Sequence, residues 1–427
     1  MMSTLEDLEM SAVSLKVSEG RKRVKRVTNI KWKHTGIDAF GYIYPLKIWE
    51  NLECVLAKYG IVVKRNEITK EVDFFNYEGA SSRNGKIADI YSLQMIEKLK
   101  LNENQVATAL ARIAEKNSYN PFIEMLQENE NSDVAIIKEV FESIPIREEY
   151  KANSDFYSLL FVKWCLGVVK MAHNTLDNAF GSQGVLTLQG SQGDYKSTFF
   201  RLLLPNHKWF KGDESVDPSS KDDVMKTTSY VICELGEFDD TMKKEQAKLK
   251  QFFTAITDEY RAPYSRVSEK HPRRTSFCAT VNKTGFLKDE TGSRRYWVIP
   301  VSRIDRDKVA LVDKNKFWGA VYHLYKQGEV TEWLNQEETA ELERLNRTFN
   351  YKDDVAITLD DKLDWDSPVE EWGHYSVSTI AERLCIREKG KIKNEMQRRG
   401  IKYEQKRYGG KPVRGYTIPI LPSLGEF

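Results

Sequence analysis

Several features that would place this chain in a simple class are absent from its sequence. The most apolar stretch, Leu159–Met171, is interrupted by Lys163 and Lys170 and falls short of the roughly 18 uncharged residues that a membrane span needs. The N-terminal segment MMSTLEDLEM is acidic where a signal peptide requires a basic start and an apolar run. We therefore expect a cytoplasmic protein with no membrane partner.

Cysteine is scarce, and its spacing in the sequence suggests no disulfide or metal-binding pair. The five cysteines are far apart, form no CxxC pair and have no histidine at metal-ligand spacing: Cys54, Cys165, Cys233, Cys278 and Cys385. This pattern predicts reduced core residues rather than disulfides or a zinc site.

The chain also lacks a large excess of charge of either sign, since 65 Lys and Arg against 63 Asp and Glu give a net charge of +2. The distribution is more informative than the total. The segment Arg387–Arg414 holds eleven basic residues against three glutamates, a local charge of +8, and Arg21–Arg26 (RKRVKR) forms a second basic run. Such runs are typical of nucleic-acid contacts or of solvated surface.

The length of 427 residues predicts two or three domains at about 150 residues each. With 41% hydrophobic and 30% charged residues, the chain is not disordered throughout. Residues 1–28 are predicted to be a flexible basic arm, which is either a solvated tail or a nucleic-acid arm. An α+β or mostly helical accessory domain (29–150) and an α/β domain (151–350) follow. An acidic linker (351–372) then leads to a basic module (373–427).

Short apolar strands alternate with helices in the third segment, which indicates a largely parallel sheet that binds ligands at the carboxyl ends of its strands. The predicted strands are Val185–Leu188, Tyr230–Cys233, Ser276–Val281 and Tyr296–Val301, and the predicted helices include Phe156–His173, Lys196–Leu204 and Lys243–Thr257.

The first of these strands leads into GSQGDYKST and then an apolar helix, the order of a phosphate-binding loop. Backbone N–H groups and the start of the helix would cradle phosphates, Lys196 would reach the β and γ oxygens, and Ser197 would hold Mg²⁺. A glycine turn capping an ordinary helix is the alternative. The residues predicted to bind ATP are Gly190, Gln192, Gly193, Asp194, Tyr195, Lys196, Ser197 and Thr198.

Tyr195 breaks the GxxxxGK[ST] pattern, because it stands where the last glycine is expected. A side chain is tolerated there if the backbone is right-handed helical and the ring points away from the nucleotide.

Polar residues follow the later strands in an order that suits nucleotide hydrolysis. Glu234, or as second choice Glu237, could hold the Mg²⁺ shell or polarise the attacking water, and Asn282 could orient that water. Arg294 and Arg295 could reach across a subunit interface and stabilise charge in the transition state, or they could be ordinary surface arginines.

The ordered set GSQGDYKST, ICELGEFDD, LKQFFT, YRAPYSR, CATVN and TGSRRYW resembles the virulence-associated protein E family of phages and pathogenicity islands. That family is similar to the superfamily 3 helicases of the AAA+ class. The resemblance implies an ATP-driven ring, usually a hexamer, that acts in replication of a mobile element. It implies that Lys196 and Ser197 belong to the Walker A motif and Glu234 to the Walker B motif. It also implies that Asn282 is the sensor residue and that Arg294 or Arg295 is the arginine finger.

Superfamily 3 helicases carry a pore hairpin with a Lys-His pair between the Walker B and sensor strands, and Lys270-His271 resembles it. Basic side chains around a channel would grip the phosphates of single-stranded DNA without reading sequence. A solvated loop is the alternative.

The C-terminal segment has the pattern helix, helix and basic hairpin, which is typical of a winged helix. Ser376–Cys385 and Lys389–Arg399 read as helices, and two strands meet at Gly409-Gly410. The residues predicted to contact double-stranded DNA are Lys389, Lys391, Lys393, Arg398 and Arg399 on the second helix and Lys406, Arg407, Lys411 and Arg414 on the wing. A wing that docks a protein is the alternative.

We therefore expect an α/β protein with an AAA+ P-loop core and a C-terminal winged helix. The leading hypothesis is an ATP-dependent DNA helicase and replication initiator. A nucleotide-binding, poorly hydrolysing DNA scaffold is the main alternative, and a small-molecule P-loop kinase is a weaker one.

Overall fold

Four clusters of buried apolar side chains organise the chain in the computed structural model. The structure describes residues 30–214, 217, 219–235, 251–260, 268–287, 290–351, 353–408 and 411–421. One cluster lies in an N-terminal unit, two cover the faces of a central sheet, and one lies in a C-terminal unit.

The N-terminal unit is α+β, one of the two possibilities, α+β or mostly helical, that the sequence left open. Its strands and helices, in chain order, are β1 Thr35–Ile37, β2 Ile43–Pro45, α1 Trp49–Lys58, β3 Val62–Asn66, β4 Val72–Phe75, α2 Arg83–Ile96, α3 Glu103–Lys116 and β5 Ser118–Tyr119. The three helices pack their apolar faces together over the sheet β4-β3-β5, and α3 begins with a capping box between Asn102 and Gln105.

The central unit continues the chain with a long series of short strands and helices. They are α4 Pro121–Glu128, α5 Ala135–Phe141, α6 Ser154–Ala172, β6 Val185–Gln189, α7 Lys196–Leu202, β7 Phe210–Glu214, α8 Lys221–Thr227, β8 Ile232–Leu235, β9 Thr257–Tyr260, β10 Glu269–Pro272, β11 Ser276–Val281, β12 Tyr296–Pro300, α9 Arg306–Leu311, α10 Lys314–Gln327 and α11 Gln336–Asn346.

Five of these strands form one parallel sheet in the order β12-β6-β11-β8-β7, which confirms the predicted α/β class. Strand β7 is not among the strands predicted from the sequence. The predicted helix Lys243–Thr257 is helical at 251–253 but does not reach Thr257, which begins β9, and its earlier part lies outside the described residues. Side chains alternate between the two faces of the sheet with period two. Leu186 and Leu188 join the cluster around α6, whereas Val185 joins the cluster on the opposite face.

The boundary of the central unit differs from the predicted one at 150. Helices α4 and α5 bury Phe122, Leu126 and Val140 in the same cluster as α6 and α10, and Phe122 packs edge-on against Trp318 with ring centroids 5.3 Å apart. Residues from about 121 therefore pack with the sheet. Apolar periodicity marks a buried helix face but does not say which neighbour covers it.

The C-terminal unit contains α12 Asp354–Lys362, β13 Gly373–Tyr375, α13 Val377–Arg383, α14 Lys389–Arg398, β14 Glu404–Tyr408 and β15 Lys411–Ile418. Its sheet has the order β13-β15-β14. The stretch 351–372, interpreted above as a linker, differs from that prediction because α12 buries Val355 and Leu359 in the cluster that holds Ile392 and Ile418. Asp354 and Asp361 of this helix are exposed, which explains why composition alone suggested a linker.

The cysteines are all free, and Cys165, Cys233 and Cys278 are buried as predicted. Cys54 is half-buried, and Cys385 is exposed with a φ of +56°, so the prediction of a core position was wrong for Cys385. None of the helices in the described part of the chain is long and apolar enough to cross a membrane.

Candidate functional site

The loop 190–195 lies at a point where the connections of the sheet change direction. Strand β6 is flanked by β11 on one side and β12 on the other. In open α/β sheets, ligands bind beyond the carboxyl ends of strands at such a switch point. The predicted phosphate-binding loop therefore occupies the position where this fold offers a crevice.

Two glycines of the loop meet conditions that other residues meet poorly. Gly193 has a φ of +90°, which L side chains rarely adopt. A Cβ on Gly190 would lie 2.6 Å from the carbonyl oxygen of Val301, and the Gly190 amide donates to the Val281 carbonyl at 3.1 Å. These contacts fix the start of the loop between the ends of β11 and β12.

Lys196 is 6% exposed and its ammonium group lies inside the loop. It donates to the carbonyl oxygens of Gly190 at 3.0 Å and Ser191 at 2.6 Å, and to Oδ1 of Asn282 at 3.0 Å. Burial lowers the pKa of Lys196, and the carboxyl groups of Asp194 and Glu234 oppose that shift. The ammonium thus lies among neutral oxygen acceptors that an anionic ligand could replace.

Ser197, Glu234 and Thr280 meet beside this lysine. Ser197 Oγ donates to Oε1 of Glu234 at 2.6 Å, and Thr280 Oγ1 donates to the same oxygen at 2.9 Å. Glu234 is 3% exposed and Ser197 is exposed. Glu234 lies within β8 rather than just after it. Thr280 was not predicted, because a lone threonine near a strand end carries no signal until the strand order is known.

A second missed residue is Arg147, which lies between α5 and α6 in sequence. Its Nη2 donates to Oε1 of Gln189 at 2.5 Å, and Nε2 of Gln189 donates to the carbonyl oxygen of Asn282 at 3.4 Å. The carboxyl ends of β6 and β11 are therefore linked to each other through side chains as well as through backbone bonds.

Tyr195 does not have the right-handed helical conformation under which a side chain is expected to be tolerated at this position. Its φ of +60° and ψ of +24° lie in the left-handed region, so it adopts the conformation that favours glycine. The ring lies against the guanidinium groups of Arg303 and Arg306, each 5.0 Å from the ring centroid, and Arg303 Nη2 donates to the hydroxyl at 2.8 Å.

The other predicted loop residues make fewer contacts. Asp194 accepts from the Ile304 amide through its carbonyl oxygen at 3.1 Å, Gln192 is exposed, and Thr198 is half-buried on the first turn of α7. Glu237 lies outside the described residues. No group of three or more His, Cys, Asp or Glu side chains converges as a metal site within the described parts of the chain.

Arg294 and Arg295 lie at the amino ends of the strands, whereas the loop lies at their carboxyl ends. They end a 3₁₀ turn, Glu290–Arg295, that leads into the amino end of β12, whose first residue pairs with Val185 at the start of β6. Arg294 is exposed and Arg295 is half-buried. Because β6 separates them from the loop, neither can reach the loop of its own chain.

Lys270 and His271 lie on β10, which pairs with β9, and the hairpin tip 261–267 is outside the described residues. Lys270 is exposed, but the ring of His271 stacks on Tyr260 with centroids 4.1 Å apart. Burial and the nearby cations Arg65 and Lys70 lower the pKa of His271 to about 4, so it is neutral at pH 7. A neutral, stacked imidazole does not suit the predicted role in phosphate gripping.

The basic helix α14 offers fewer available cations than its sequence suggests. Arg399 forms ion pairs with Asp360 at 2.7 Å and Glu395 at 2.8 Å, and its guanidinium lies 4.3 Å from the ring centroid of Trp365. It ties α14 to α12, and we remove it from the predicted DNA-contacting set. Arg398 pairs with Glu395 at 3.2 Å.

The remaining lysines of α14 lie on its solvent side. Lys389 and Lys393 are exposed, and half-buried Lys391 pairs with Glu388 at 2.7 Å. Ser376 caps α13 by accepting from the Thr379 amide at 3.1 Å, as predicted.

The two strands of the wing pair as predicted, from Glu404↔Gly415 to Tyr408↔Lys411, and the connecting Gly409-Gly410 lies outside the described residues. Lys406, Arg407 and Arg414 are exposed on this hairpin. Lys406 pairs with Glu404 at 2.7 Å, and Arg414 donates to Gln405 at 3.3 Å. The outer surface of the wing is basic.

Comparisons with known proteins give a family and weak structural likenesses. A profile described as the virulence-associated protein E-like domain matches residues 126–351. Among solved structures, the chain is similar to the apo structure of the NrS-1 C-terminal region, 305–718, at 14% identity, 87% coverage of this chain, 99% of that chain and a TM-score of 0.44. The A form of the apo NrS-1 C-terminal region matches at 13% identity, 87% and 100% coverage and a TM-score of 0.42.

A search of the curated proteins gives no match. The matched segment of the family profile spans more than half of the chain and contains the loop, the five parallel strands and the polar residues at their carboxyl ends. The chain belongs to the virulence-associated protein E-like domain family.

Proposed function

We propose that this protein is an ATP-dependent DNA helicase and replication initiator of a phage or other mobile element. The observation that carries the proposal is the meeting of Lys196, Ser197, Glu234, Thr280 and Asn282 at the carboxyl ends of three adjacent parallel strands. A lysine for phosphate oxygens, a hydroxyl, a carboxyl group and an amide are the side chains that phosphoryl transfer to water requires.

Each of these side chains has a distinct role in the proposed reaction. Lys196 would exchange its bonds to Gly190, Ser191 and Asn282 for the β and γ phosphate oxygens, which frees the Asn282 amide to orient water. Glu234 would polarise that water, and Thr280 would keep the carboxyl group in place.

The donor set also suits Mg²⁺, which prefers oxygen ligands and keeps several waters. Ser197 Oγ and the Glu234 carboxyl group, 2.6 Å apart, are the residues that would hold it directly or through water. When bound, the ion neutralises charge on the phosphate oxygens.

The proposal includes a ring of subunits, which the resemblance to superfamily 3 helicases implies is a hexamer, and the position of the arginine pair suits such a ring. Arg294 and Arg295 lie at the edge of the sheet remote from the loop of their own chain, so they could act only on a nucleotide bound to a neighbour. A guanidinium supplied in trans stabilises the charge of the transition state.

DNA contacts in this proposal come from two surfaces. The C-terminal unit has two helices followed by a basic hairpin, and its exposed cations Lys389, Lys393, Arg407 and Arg414 suit duplex DNA. Exposed Lys270 on the β9–β10 hairpin suits the phosphates of a single strand. Origin recognition would thus be separate from translocation.

Steady-state ATP hydrolysis with and without single-stranded DNA tests the proposal. We expect Mg²⁺-dependent turnover that DNA stimulates, and we expect Lys196→Ala to abolish both hydrolysis and unwinding because the phosphate charge loses its partner. Arg201→Ala, which removes an exposed cation from the same helix, is the matched control.

Two outcomes would decide against this function. Nucleotide binding without hydrolysis by the wild type would favour the DNA-bound scaffold. The observation that favours this alternative is Tyr195, a left-handed residue where the loop motif has glycine. Equal hydrolysis by wild type and Lys196→Ala would remove the loop from the active site altogether.

A further inference from the structure

Tyr195 has a backbone conformation that its own side chain disfavours. It is one of six non-glycine residues with positive φ among the described parts of the chain, and it directly precedes Lys196. A Cβ in the left-handed region crowds the following carbonyl oxygen, which is why glycine is usual there. Something outside the loop must therefore stabilise this conformation.

Three residues of the segment after β12 contact this part of the loop. Arg303 donates to the Tyr195 hydroxyl at 2.8 Å, the guanidinium groups of Arg303 and Arg306 both lie 5.0 Å from the ring centroid, and the Ile304 amide donates to the Asp194 carbonyl at 3.1 Å. The ring also packs at the margin of the large apolar cluster. These contacts act on the ring and on the preceding peptide, not on Lys196 itself.

We propose that Arg303 and Arg306 are positioning residues that clamp Tyr195 in the left-handed conformation and thereby hold the loop ready for triphosphate. This inference rests on the proposed nucleotide binding at the loop. A glycine at this position would adopt the left-handed conformation without strain, whereas tyrosine needs these side-chain contacts to stabilise it. It also explains how a tyrosine can stand at this position without disrupting the loop.

The clamp predicts a specific pattern of nucleotide affinity. Without Arg303 the left-handed state of Tyr195 becomes a minor population, and apparent affinity falls by the fraction that remains competent. The ordinary cost of this conformation corresponds to a loss of about tenfold. Saturating nucleotide would pull the loop back into place, so KM should rise while kcat stays close to that of the wild type.

A double-mutant cycle with Mg²⁺ and a fluorescent ATP analogue tests this pattern. We expect Arg303→Ala to weaken binding about tenfold and Tyr195→Gly to bind at least as tightly as wild type. In the Tyr195→Gly background, Arg303→Ala should change affinity less than twofold, because glycine needs no clamp. Tyr195→Phe, which keeps the ring but loses the hydroxyl, should lie between wild type and Arg303→Ala.

The same cycle can overturn the inference. An equal loss from Arg303→Ala in both backgrounds would mean that Arg303 attracts or touches the nucleotide directly. No loss in the Tyr195 background would mean that the clamp is not needed. The exposed Arg201→Ala controls for removal of one positive charge near the loop and should leave affinity unchanged.

Failure of the proposed function can be separated from failure of the clamp. If the wild type binds no nucleotide, the proposed function is wrong, and thermal unfolding then tests the clamp alone. A drop in melting temperature for Arg303→Ala that disappears in the Tyr195→Gly background would still support it. Equal drops in both backgrounds would refute it.

Discussion

Thr280 provides the sharpest test of how the site holds its carboxyl group. Its hydroxyl donates to Oε1 of Glu234 at 2.9 Å, and Ser197 donates to the same oxygen at 2.6 Å. If Ser197 turns to Mg²⁺ and phosphate, as proposed, Thr280 still donates to that oxygen. Thr280→Val removes the hydroxyl with almost no change of shape.

The magnitude follows from the bond that is lost. A hydrogen bond to a carboxylate contributes about 1.5–3 kcal/mol, and a buried acceptor that loses a partner keeps its desolvation cost. Because about 1.4 kcal/mol is a factor of ten, we expect kcat for ATP hydrolysis to fall by about 10- to 150-fold. Nucleotide affinity should change little, since Lys196 and the loop are untouched.

Two controls make the experiment decisive. Thr280→Ser keeps the hydroxyl and should retain most of the turnover. Thr187→Val removes a hydroxyl on the neighbouring strand β6, which among the described residues donates to the Val185 carbonyl at 3.1 Å, and should leave kcat unchanged. Wild-type turnover in Thr280→Val, measured on assembled protein with saturating Mg²⁺ and ATP, would refute the role of Thr280.

Three further predictions concern surfaces away from the loop. Arg294→Ala and Arg295→Ala should both keep nucleotide affinity, while at least one of them strongly lowers turnover. Mixing that variant with Lys196→Ala subunits should restore part of the activity, because one subunit supplies the intact loop and its neighbour supplies the arginine. Removing 353–427, the whole C-terminal unit including α12, should erase preference for a specific duplex but spare ATP hydrolysis. His271 should destabilise the folded protein as pH falls: its folded pKa of about 4 lies below the usual 6.5, so its stabilising contribution is fully present above pH 6.5 and is lost as pH falls towards 4. Replacing it with phenylalanine, which keeps an aromatic ring, should reduce the loss of melting temperature over that range.

Each of these predictions has a contrary outcome. Normal hydrolysis by both arginine variants as assembled rings would exclude a finger at either position. Retained duplex selectivity after truncation would place sequence reading outside the C-terminal unit. An identical acid shift with phenylalanine in place of the histidine would mean that His271 does not carry this pH dependence.

The sequence alone determined features that depend on neighbouring residues. The run from β6 through the loop to α7 was predicted from its apolar strand, glycines and Lys-Ser-Thr, and the cap at Ser376 from a serine before an apolar helix. Such signals work because backbone geometry and capping are set within a few residues. The alternation of strands and helices was enough to predict the parallel sheet.

Only the tertiary structure decided which residues meet and which charges remain available. Thr280 and Arg147 join the site because strand order and packing bring distant segments to one edge of the sheet. Arg399 leaves the predicted DNA surface because Asp360 and Trp365 occupy it, and α12 proved to be core because its apolar face found a partner in α14. Periodicity records that a side chain needs a partner, but the partner's identity is fixed by contacts between residues far apart in the chain.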